Sequence, residues 1–364
     1  MKITIVAGAR PNFIKIAPII LEIKKRKKGG DPISFRLVHT GQHYDKNLSD
    51  TFFEELNIPD PDINLNVQSG SQAEQTGAIM QGFEKELQNN PTDLVLVVGD
   101  VTSTMACAIV AKKAHIKVAH VEAGIRSGDM KMPEEINRIV TDSITDYFFT
   151  TSNLASSTLL SNGALDENIF FVGNVMIDTL MKNLPLLKEP TIWSQLSLQK
   201  KEYFVLTLHR PSNVDSLDSF SELLKLIVEK SEGIPIVFPV HPRTQKILTD
   251  AALTFDNLHY ISPQGYKSFI YLIQQSKGVF TDSGGITEEA SILNIPCITF
   301  RDSTERPETC ELGTNMLVGN DLNKINIAFD HLFSSQWKKG QPIPLWDGNT
   351  SERIISHILN IYEG

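Results

Sequence analysis

The chain has 364 residues, of which 41% are hydrophobic, so its length favours two domains of ordinary size with real cores. Its 34 basic and 43 acidic side chains give a formal net charge of −9, whereas a general nucleic-acid binder usually carries a basic surplus. No signal-peptide pattern opens the sequence and no run of about 18 apolar residues occurs in it, so we expect a soluble protein that does not enter a membrane.

The first half of the sequence alternates short apolar runs with helix-like stretches. The predicted strands are Lys2–Ala7, Ser34–His39, Leu94–Val98, Val118–Val121 and Tyr147–Thr150. The predicted helices are Ile14–Arg26 and Ser103–Ala114. Nearly continuous apolar strands are typical of a parallel sheet buried on both faces. The alternation therefore predicts a doubly wound α/β domain.

The same pattern starts again after a polar stretch near Asn183–Lys200. Its predicted strands are Tyr203–Leu208, Ile234–Val240, His259–Ile261, Gly278–Thr281 and Cys297–Thr299, with a helix at Leu217–Lys230. We therefore expect a first domain over residues 1–180 and a second over residues 181–349, with a ligand cleft between them. A closing helix of about residues 350–364 is expected to pack back on the first domain.

The three cysteines, Cys107, Cys297 and Cys310, form no C-x-x-C pair. Three thiols cannot all pair within one chain, so reduced cysteines in a cytoplasmic protein are the simplest expectation.

A short loop, Gly8–Lys15, joins the first strand to the first helix. It is neither G-x-G-x-x-G nor a Walker A sequence, so the sequence gives no support to NAD. Arg10 and Lys15 flank the helix start, where backbone N–H groups favour anions. An anion site and a solvated basic loop both remain open at this point.

Another candidate anion site follows the strand Gly278–Thr281. Ser283, Gly284 and Gly285 open a predicted helix there, and two glycines allow backbone amides to approach a phosphate closely. Glu289, one turn inside, could accept hydrogen bonds from ribose hydroxyls. An ordinary capping motif with a helical pair of glutamates fits the same residues.

Three carboxylates follow strand ends or begin a helix. Asp100 follows Leu94–Val98, Glu122 ends the next strand, and Glu134 begins a probable helix. Ligands of open α/β sheets bind outside the carboxyl ends of the strands, so these groups could share a cleft and serve in proton transfer. A metal site is the rival interpretation, but no nearby pair of His or Cys has the usual ligand spacing, and we expect no metal.

His209 closes the strand Tyr203–Leu208 and precedes Arg210. A lone histidine is more often structural, but one at the carboxyl end of a strand beside an arginine is a candidate for phosphate contact or proton shuttling. Arg306, in the run Glu305–Glu308, is a further arginine that could bind a diphosphate.

These motifs occur in one order, and together they resemble the non-hydrolysing UDP-N-acetylglucosamine 2-epimerases from about residue 2 to residue 319. The motifs are Gly8-x-Arg10-Pro11-x-x-x-Lys15, Gly99-Asp100, His120-Val121-Glu122-Ala123-Gly124-Ile125-Arg126, Pro133-Glu134-Glu135-x-Asn137-Arg138, His209-Arg210, Asp282-Ser283-Gly284-Gly285-Ile286-x-Glu288-Glu289 and Arg301-Asp302-x-Thr304-Glu305-Arg306-Pro307-Glu308. Asn12 departs from the family's usual glutamate in the first loop.

The resemblance implies a GT-B architecture, in which two Rossmann-like domains face an interdomain cleft, usually in a homodimer. It implies an isomerase without cofactor that inverts C2 of UDP-N-acetylglucosamine. UDP is lost by anti elimination to 2-acetamidoglucal and then added back, which gives UDP-N-acetylmannosamine. No hydride moves in this scheme, so it needs no nicotinamide.

The resemblance also assigns roles to residues. It gives acid/base chemistry to Asp100, Glu122 and Glu134, and catalysis with phosphate contact to His209. The implied substrate-binding residues are Arg10, Lys15 and Arg306 for the diphosphate or sugar, Ser283, Gly284 and Gly285 for phosphate, Glu289 for ribose, and Gln264 and Phe269 for uracil.

Other functions remain open on the sequence. The first loop together with Gly41–Asp45 also resembles enzymes that act on UDP-2,3-diacetamido-2,3-dideoxyglucuronic acid, whereas Glu305–Glu308 and the Gln264 segment favour the N-acetylglucosamine enzymes. Gln42 and His43 keep part of the pattern of a second, activating substrate site. A GT-B glycosyltransferase would share the fold and the nucleotide, but would need an acceptor site and leave the three carboxylates unexplained. A hydrolysing epimerase and a nucleotide-sugar sensor are further alternatives.

Overall fold

The computed structural model describes residues 1–41, 53–68, 70–210, 213, 216–240 and 242–363. Gln42 and His43 lie outside the described residues. The chain divides into two compact units, one of Met1–Lys182 with Pro344–Gly364 and the other of Asn183–Ile343. No helix in the described part of the chain is both long and apolar enough to cross a membrane.

The first unit is built on a seven-stranded parallel sheet with the order β3-β2-β1-β4-β5-β6-β7. Its strands are β1 Lys2–Ala7, β2 Ser34–His39, β3 Ile63–Asn64, β4 Leu94–Val98, β5 Lys117–Ala123, β6 Tyr147–Thr150 and β7 Ile169–Phe171. Among the described residues, this unit carries the helices α1 Arg10–Gly29, α2 Gln72–Asn89, α3 Thr102–Lys113, α4 Pro133–Ile144, α5 Asn153–Ser161 and α6 Val175–Asn183.

The second unit is built on a six-stranded parallel sheet with the order β10-β9-β8-β11-β12-β13. Its strands are β8 Phe204–Thr207, β9 Ile236–Pro239, β10 Leu258–Ile261, β11 Gly278–Thr281, β12 Cys297–Thr299 and β13 Asn315–Leu317. Its helices are α7 Thr191–Gln195, α8 Leu217–Lys230, α9 Pro242–Asp250, α10 Tyr266–Gln275, α11 Gly284–Ile292, α12 Pro307–Glu311 and α13 Leu322–Phe333.

The last helix, α14 (Thr350–Glu363), returns to the first unit and packs along α1. Its start is capped from α6 by Asp178, whose buried carboxylate accepts hydrogen bonds from the backbone N–H groups of Thr350 at 2.9 Å and Ser351 at 2.6 Å. A helix start leaves its first N–H groups without intrahelical partners, so this remote carboxylate does the work of an N-cap side chain.

Both sheets reverse their strand order at an internal pair of neighbours, β1 with β4 and β8 with β11. All five residues of β4 are buried, as are the four of β11, because helices cover both faces of a parallel sheet. The prediction of two doubly wound α/β domains is thereby confirmed. Ligands of such sheets bind outside the carboxyl ends of the strands at the reversal, and three predicted site residues come just after these strands: Asp100 after β4, His209 after β8 and Ser283 after β11.

Candidate active site

The carboxyl edge of the first sheet brings Lys15 of α1 against Glu122 of β5. Their side chains form an ion pair and are 14% and 2% exposed. Gly99, at the end of β4, lies directly against this pair, since a Cβ added there would be 2.9 Å from Lys15 Nζ and 3.4 Å from Glu122 Oε2. Gly99 also has a φ of +67°, so both the torsion angle and the close approach favour glycine.

Glu122 itself has a left-handed backbone, with a φ of +70°. The pairing of β5 with β6 shifts register between Val121 and Ala123, so Glu122 is the extra residue of a β-bulge. The strand does not stop at Val121, where the sequence predicts its end, but continues through Ala123. The bulge turns the Glu122 side chain toward Lys15, and an L-residue held in this conformation stores strain.

Asp100 follows Gly99 and is held by two residues of α4. Its backbone carbonyl accepts a hydrogen bond from Asn137 Nδ2 at 2.8 Å, and Arg138 Nη2 donates to its Oδ2 at 2.5 Å. The Asp100 side chain is 29% exposed, so a ligand can reach it, whereas Arg138 is buried. Arg138 also donates to Glu135 at 2.8 Å, so its guanidinium joins two carboxylates.

Glu134 lies half-buried in the first turn of α4, after Pro133. Since residues four apart share a helix face, Glu134 lies on the face from which Arg138 reaches Asp100. The structure therefore brings Lys15, Glu122 and Asp100 to one edge of the first sheet, with Glu134 one helical turn before Arg138, which contacts Asp100.

Asn12 fixes the first loop to the sheet. Its Oδ1 accepts hydrogen bonds from the backbone N–H groups of Gly8 and Ala9, each at 3.1 Å, and its Nδ2 donates to the carbonyl of Val98 at 3.0 Å. Arg10 opens α1, and its side chain lies outside what the structure describes.

In the second unit, His209 lies beside the buried carboxylate of Asp282, with His209 Nδ1 2.9 Å from Asp282 Oδ1. Asp282 also accepts hydrogen bonds from the backbone N–H groups of His209 and Arg210 and from Asn213 Nδ2. Burial alone would raise the pKa of Asp282, but the His209 ring and these N–H donors outweigh it and hold the pKa below its usual range. The His209 side chain is 64% exposed, so its Nε2 is open to a ligand.

Helix α11 begins beside these residues with Ser283 as its N-cap, followed by Gly284 and Gly285. A Cβ on Gly284 would meet nothing closer than Arg301 Nη1 at 3.8 Å, so there is open space at this helix start, with a guanidinium at its border. Arg301 is held by Glu305 through two hydrogen bonds of 2.7 Å. The helix start thus offers backbone N–H groups to an anion.

Glu289, inside α11, is buried against Tyr266. Burial raises the pKa of Glu289 to about 8, the nearby Tyr266 hydroxyl opposes this rise, and the neighbouring Glu288 adds to it. Tyr266 is the first residue of α10 and belongs to the segment that contains Gln264 and Phe269. It therefore places this segment beside Glu289, the predicted ribose contact.

Gln264 lies just before α10, where its Nε2 donates to the carbonyl of Ser262 at 2.8 Å, and Phe269 lies half-exposed on the helix. Arg306 is 6% exposed, and its Nε donates to Glu288 Oε1 at 2.5 Å. Its guanidinium is therefore engaged inside the second unit, next to the helix that carries Glu289.

Sequence reasoning missed the residues that hold the predicted ones. Asp282 orients His209, Asn137 and Arg138 hold Asp100, and Asn12 locks the first loop. Asp282 had a signal, because a carboxylate directly after a buried strand needs donors. Among the described residues, no group of three His, Cys, Asp or Glu side chains is arranged to hold a metal ion.

Comparison with known proteins places the whole chain in one family. The family model described as UDP-N-acetylglucosamine 2-epimerase matches residues 25–359. The UDP-N-acetylglucosamine 2-epimerase of Methanocaldococcus jannaschii is 41% identical, with 98% of each chain covered. The UDP-2,3-diacetamido-2,3-dideoxy-D-glucuronate 2-epimerase of Pseudomonas aeruginosa is 38% identical, with 88% of each covered.

The crystal structure of the M. jannaschii enzyme in complex with UDP-GlcNAc and UDP has a TM-score of 0.88 to this chain, at 40% identity, with 99% of this chain and 100% of that chain covered. The family predicted from the sequence and the prediction of an isomerase are therefore confirmed. This protein belongs to the UDP-N-acetylglucosamine 2-epimerase family of enzymes.

Proposed function

We propose that this enzyme interconverts UDP-N-acetylglucosamine and UDP-N-acetylmannosamine without cofactor. The observation that carries the proposal is its likeness, over 98% of each chain, to the M. jannaschii enzyme of that name. The arrangement at the two sheet edges supports it, because one unit gathers carboxylates suited to proton transfer and the other an open helix start suited to a diphosphate. We further propose that it works as a cytoplasmic homodimer.

The first step removes the proton from C2 of the sugar while the bond from C1 to the phosphate oxygen breaks. UDP leaves with that bonding pair, and a C1=C2 double bond forms in 2-acetamidoglucal. UDP then adds back to C1, and a proton is delivered to the opposite face of C2. Asp100, Glu122 and Glu134 supply the acid and base groups, since inversion needs proton transfer on two faces of one carbon.

The contacts of Asp100 and Glu122 suit these roles in different ways. Asp100 is accessible, and Arg138 orients its carboxylate. Glu122 is buried against Lys15, so the cation stabilises its negative charge in the ligand-free enzyme. A carboxylate that is held in place transfers a proton without first having to be ordered.

The second unit binds and stabilises UDP. The start of α11 at Ser283, Gly284 and Gly285 takes phosphate oxygens, and the exposed Nε2 of His209 contacts the diphosphate as its charge develops. Glu289 contacts the ribose, and Gln264 and Phe269 contact the uracil. Arg10, Lys15 and Arg306 contribute positive charge near the diphosphate or sugar.

One comparison favours a second candidate substrate. The P. aeruginosa relative acts, by its name, on UDP-2,3-diacetamido-2,3-dideoxy-D-glucuronate, and its identity of 38% is close to the 41% of the M. jannaschii enzyme. The same elimination serves either sugar, because the substituents at C3 and C6 lie outside the reacting bonds.

The test is an incubation of the purified enzyme with each sugar nucleotide in deuterated water. We expect UDP-N-acetylglucosamine to give UDP-N-acetylmannosamine with deuterium at C2. If the bridging oxygen at C1 carries oxygen-18, that label should also scramble among the β-phosphate oxygens of recovered substrate, since UDP is free to rotate before it adds back. Reaction of the diacetamido uronate alone would refute the proposed substrate, and exchange at C2 without oxygen scrambling would refute the elimination.

A further inference from the structure

His120 is a buried histidine of β5 that lies outside the groups assigned to proton transfer. Its side chain is 1% exposed and lies between two oxygen atoms. His120 Nδ1 is 2.8 Å from Asp142 Oδ1, and His120 Nε2 is 2.8 Å from the carbonyl oxygen of Gly99. Both distances are those of N–H···O hydrogen bonds.

The two partners fix the number of protons on the ring. The Gly99 carbonyl can only accept, so Nε2 must donate. The Asp142 carboxylate also accepts from the backbone N–H of Gly124 at 3.1 Å and from Arg126 Nη1 at 2.6 Å, so it is ionised and Nδ1 must donate as well. A neutral imidazole has only one N–H and would place a lone pair against one of the two oxygens.

His120 and Asp142 also connect the two proposed acid/base groups. His120 Nε2 donates a hydrogen bond to the carbonyl of Gly99, the residue before Asp100. Asp142 accepts a hydrogen bond from the backbone N–H of Gly124, two residues after the bulge at Glu122. The turn at Asp100 and the bulge at Glu122 are therefore both hydrogen-bonded to the His120–Asp142 pair.

We propose that His120 is a buried imidazolium, protonated on both nitrogens, and that its Nε2 proton positions Asp100 through the Gly99 carbonyl. The charged groups around it are Asp142 and Arg126 on one side and the pairs Lys15–Glu122 and Arg138–Asp100 on the adjoining elements. His120 is a positioning residue and contacts no reacting atom. Its role in positioning rests on the proposed function, whereas its protonation does not.

Long-range proton–nitrogen NMR of the ligand-free, nitrogen-15-labelled enzyme at neutral pH tests the protonation. The chain has nine histidines, and His120→Gln identifies the ring in question by its missing signals. We expect a proton on each nitrogen of His120. One unprotonated nitrogen would overturn the inference, and neutron diffraction of the unmodified enzyme counts the same protons if the variant does not fold.

Asp142→Asn tests the positioning, because it keeps the size of the side chain and removes the charge that holds the second proton. We expect the kcat for deuterium exchange at C2 to fall roughly 10- to 100-fold, as small displacements of a catalytic group cost about that much. UDP affinity, which in this proposal depends mainly on the second unit, should stay within about twofold. An unchanged kcat with a folded variant would overturn the positioning role.

Asp146→Asn is the matched control. Asp146 also binds β5, accepting from the backbone N–H of Val118 at 2.9 Å and pairing with Lys112 and Lys117. Asp146 contacts the first residues of β5, at the end of the strand opposite Glu122, so its variant should keep kcat within about twofold. If the unmodified enzyme exchanges no proton at C2 of either sugar, the proposed function is wrong. The NMR measurement of the protons on His120 remains a separate test of its protonation.

Discussion

His209 Nδ1 lies 2.9 Å from Asp282 Oδ1, and Asp282 Oδ2 accepts a hydrogen bond of 3.0 Å from the backbone N–H of His209. Asp282 therefore fixes both the ring and the backbone of one residue. It keeps Nδ1 protonated, which leaves Nε2 as the atom that faces a ligand. This is the relation by which a buried aspartate orients a catalytic histidine in hydrolases.

Asp282→Asn should therefore lower the kcat of epimerisation by roughly 100-fold or more, because the His209 ring loses the carboxylate that orients it. The decisive measurement is a double-mutant cycle with His209→Asn. If Asp282 acts through His209, the double variant should be no more than about twofold slower than His209→Asn alone. Fully additive losses would show that Asp282 acts on activity by another route.

The left-handed backbone of Glu122 gives a prediction about stability. Glu122→Gly and Glu122→Ala both remove the carboxylate, so both should abolish epimerisation, but only glycine adopts a φ of +70° without strain. The glycine variant should have the larger free energy of unfolding in urea, by about 1 kcal/mol.

Lys117, the exposed first residue of the same strand, provides the control pair. Its φ is not in the left-handed region, so Lys117→Ala should be more stable than Lys117→Gly, the usual order. The same order at both positions would mean that the bulge at Glu122 carries no strain.

The buried Glu289 predicts how stability depends on pH. Its pKa of about 8 lies above the ordinary value of 4.5, so between these two pH values the folded chain holds this proton more tightly than the unfolded chain. The free energy of unfolding should therefore fall as pH rises through that window, by at most about 1.4 kcal/mol per pH unit from this group.

The test is urea unfolding of the unmodified protein and of Glu289→Gln at about pH 5.5, 6.5 and 7.5, which lie between the two pKa values. It measures how the free energy of unfolding depends on pH. The glutamine variant should show a weaker loss of stability with rising pH, because it cannot ionise. Glu311→Gln, an exposed glutamate of α12, should keep the slope of the unmodified protein. Equal slopes for all three proteins would contradict the raised pKa of Glu289.

Much of the fold could be predicted because the central strands are short apolar runs between turn residues. The bounds of β1, β2, β4, β6, β11 and β12 and of α8 agree with those predicted. The helix α1 begins at Arg10 and not at Ile14, because Pro11 suits a first helical turn and Asn12 ties the loop to it. The two-residue strand β3 has no periodic pattern to detect.

The candidate site was predicted in part for a similar reason. Asp100 and His209 follow apolar strands, and the topology brings strand ends to one edge of a sheet. Their partners are separated from them by 38 residues for Arg138 and 73 for Asp282. Whether residues so far apart along the chain come into contact depends on how α4 packs and on which strand lies beside β8. Neither is encoded in a local sequence pattern.

The cap that Asp178 places on α14 bears on the order in which the chain folds during synthesis. Residues 183–343, the whole second unit, emerge from the ribosome before the segment that completes the first. Until Thr350 and Ser351 arrive, the carboxylate of Asp178 lacks the two N–H groups that it binds in the finished protein. The unit that begins the chain is therefore the last to be completed, although domains generally fold N-terminal first during synthesis.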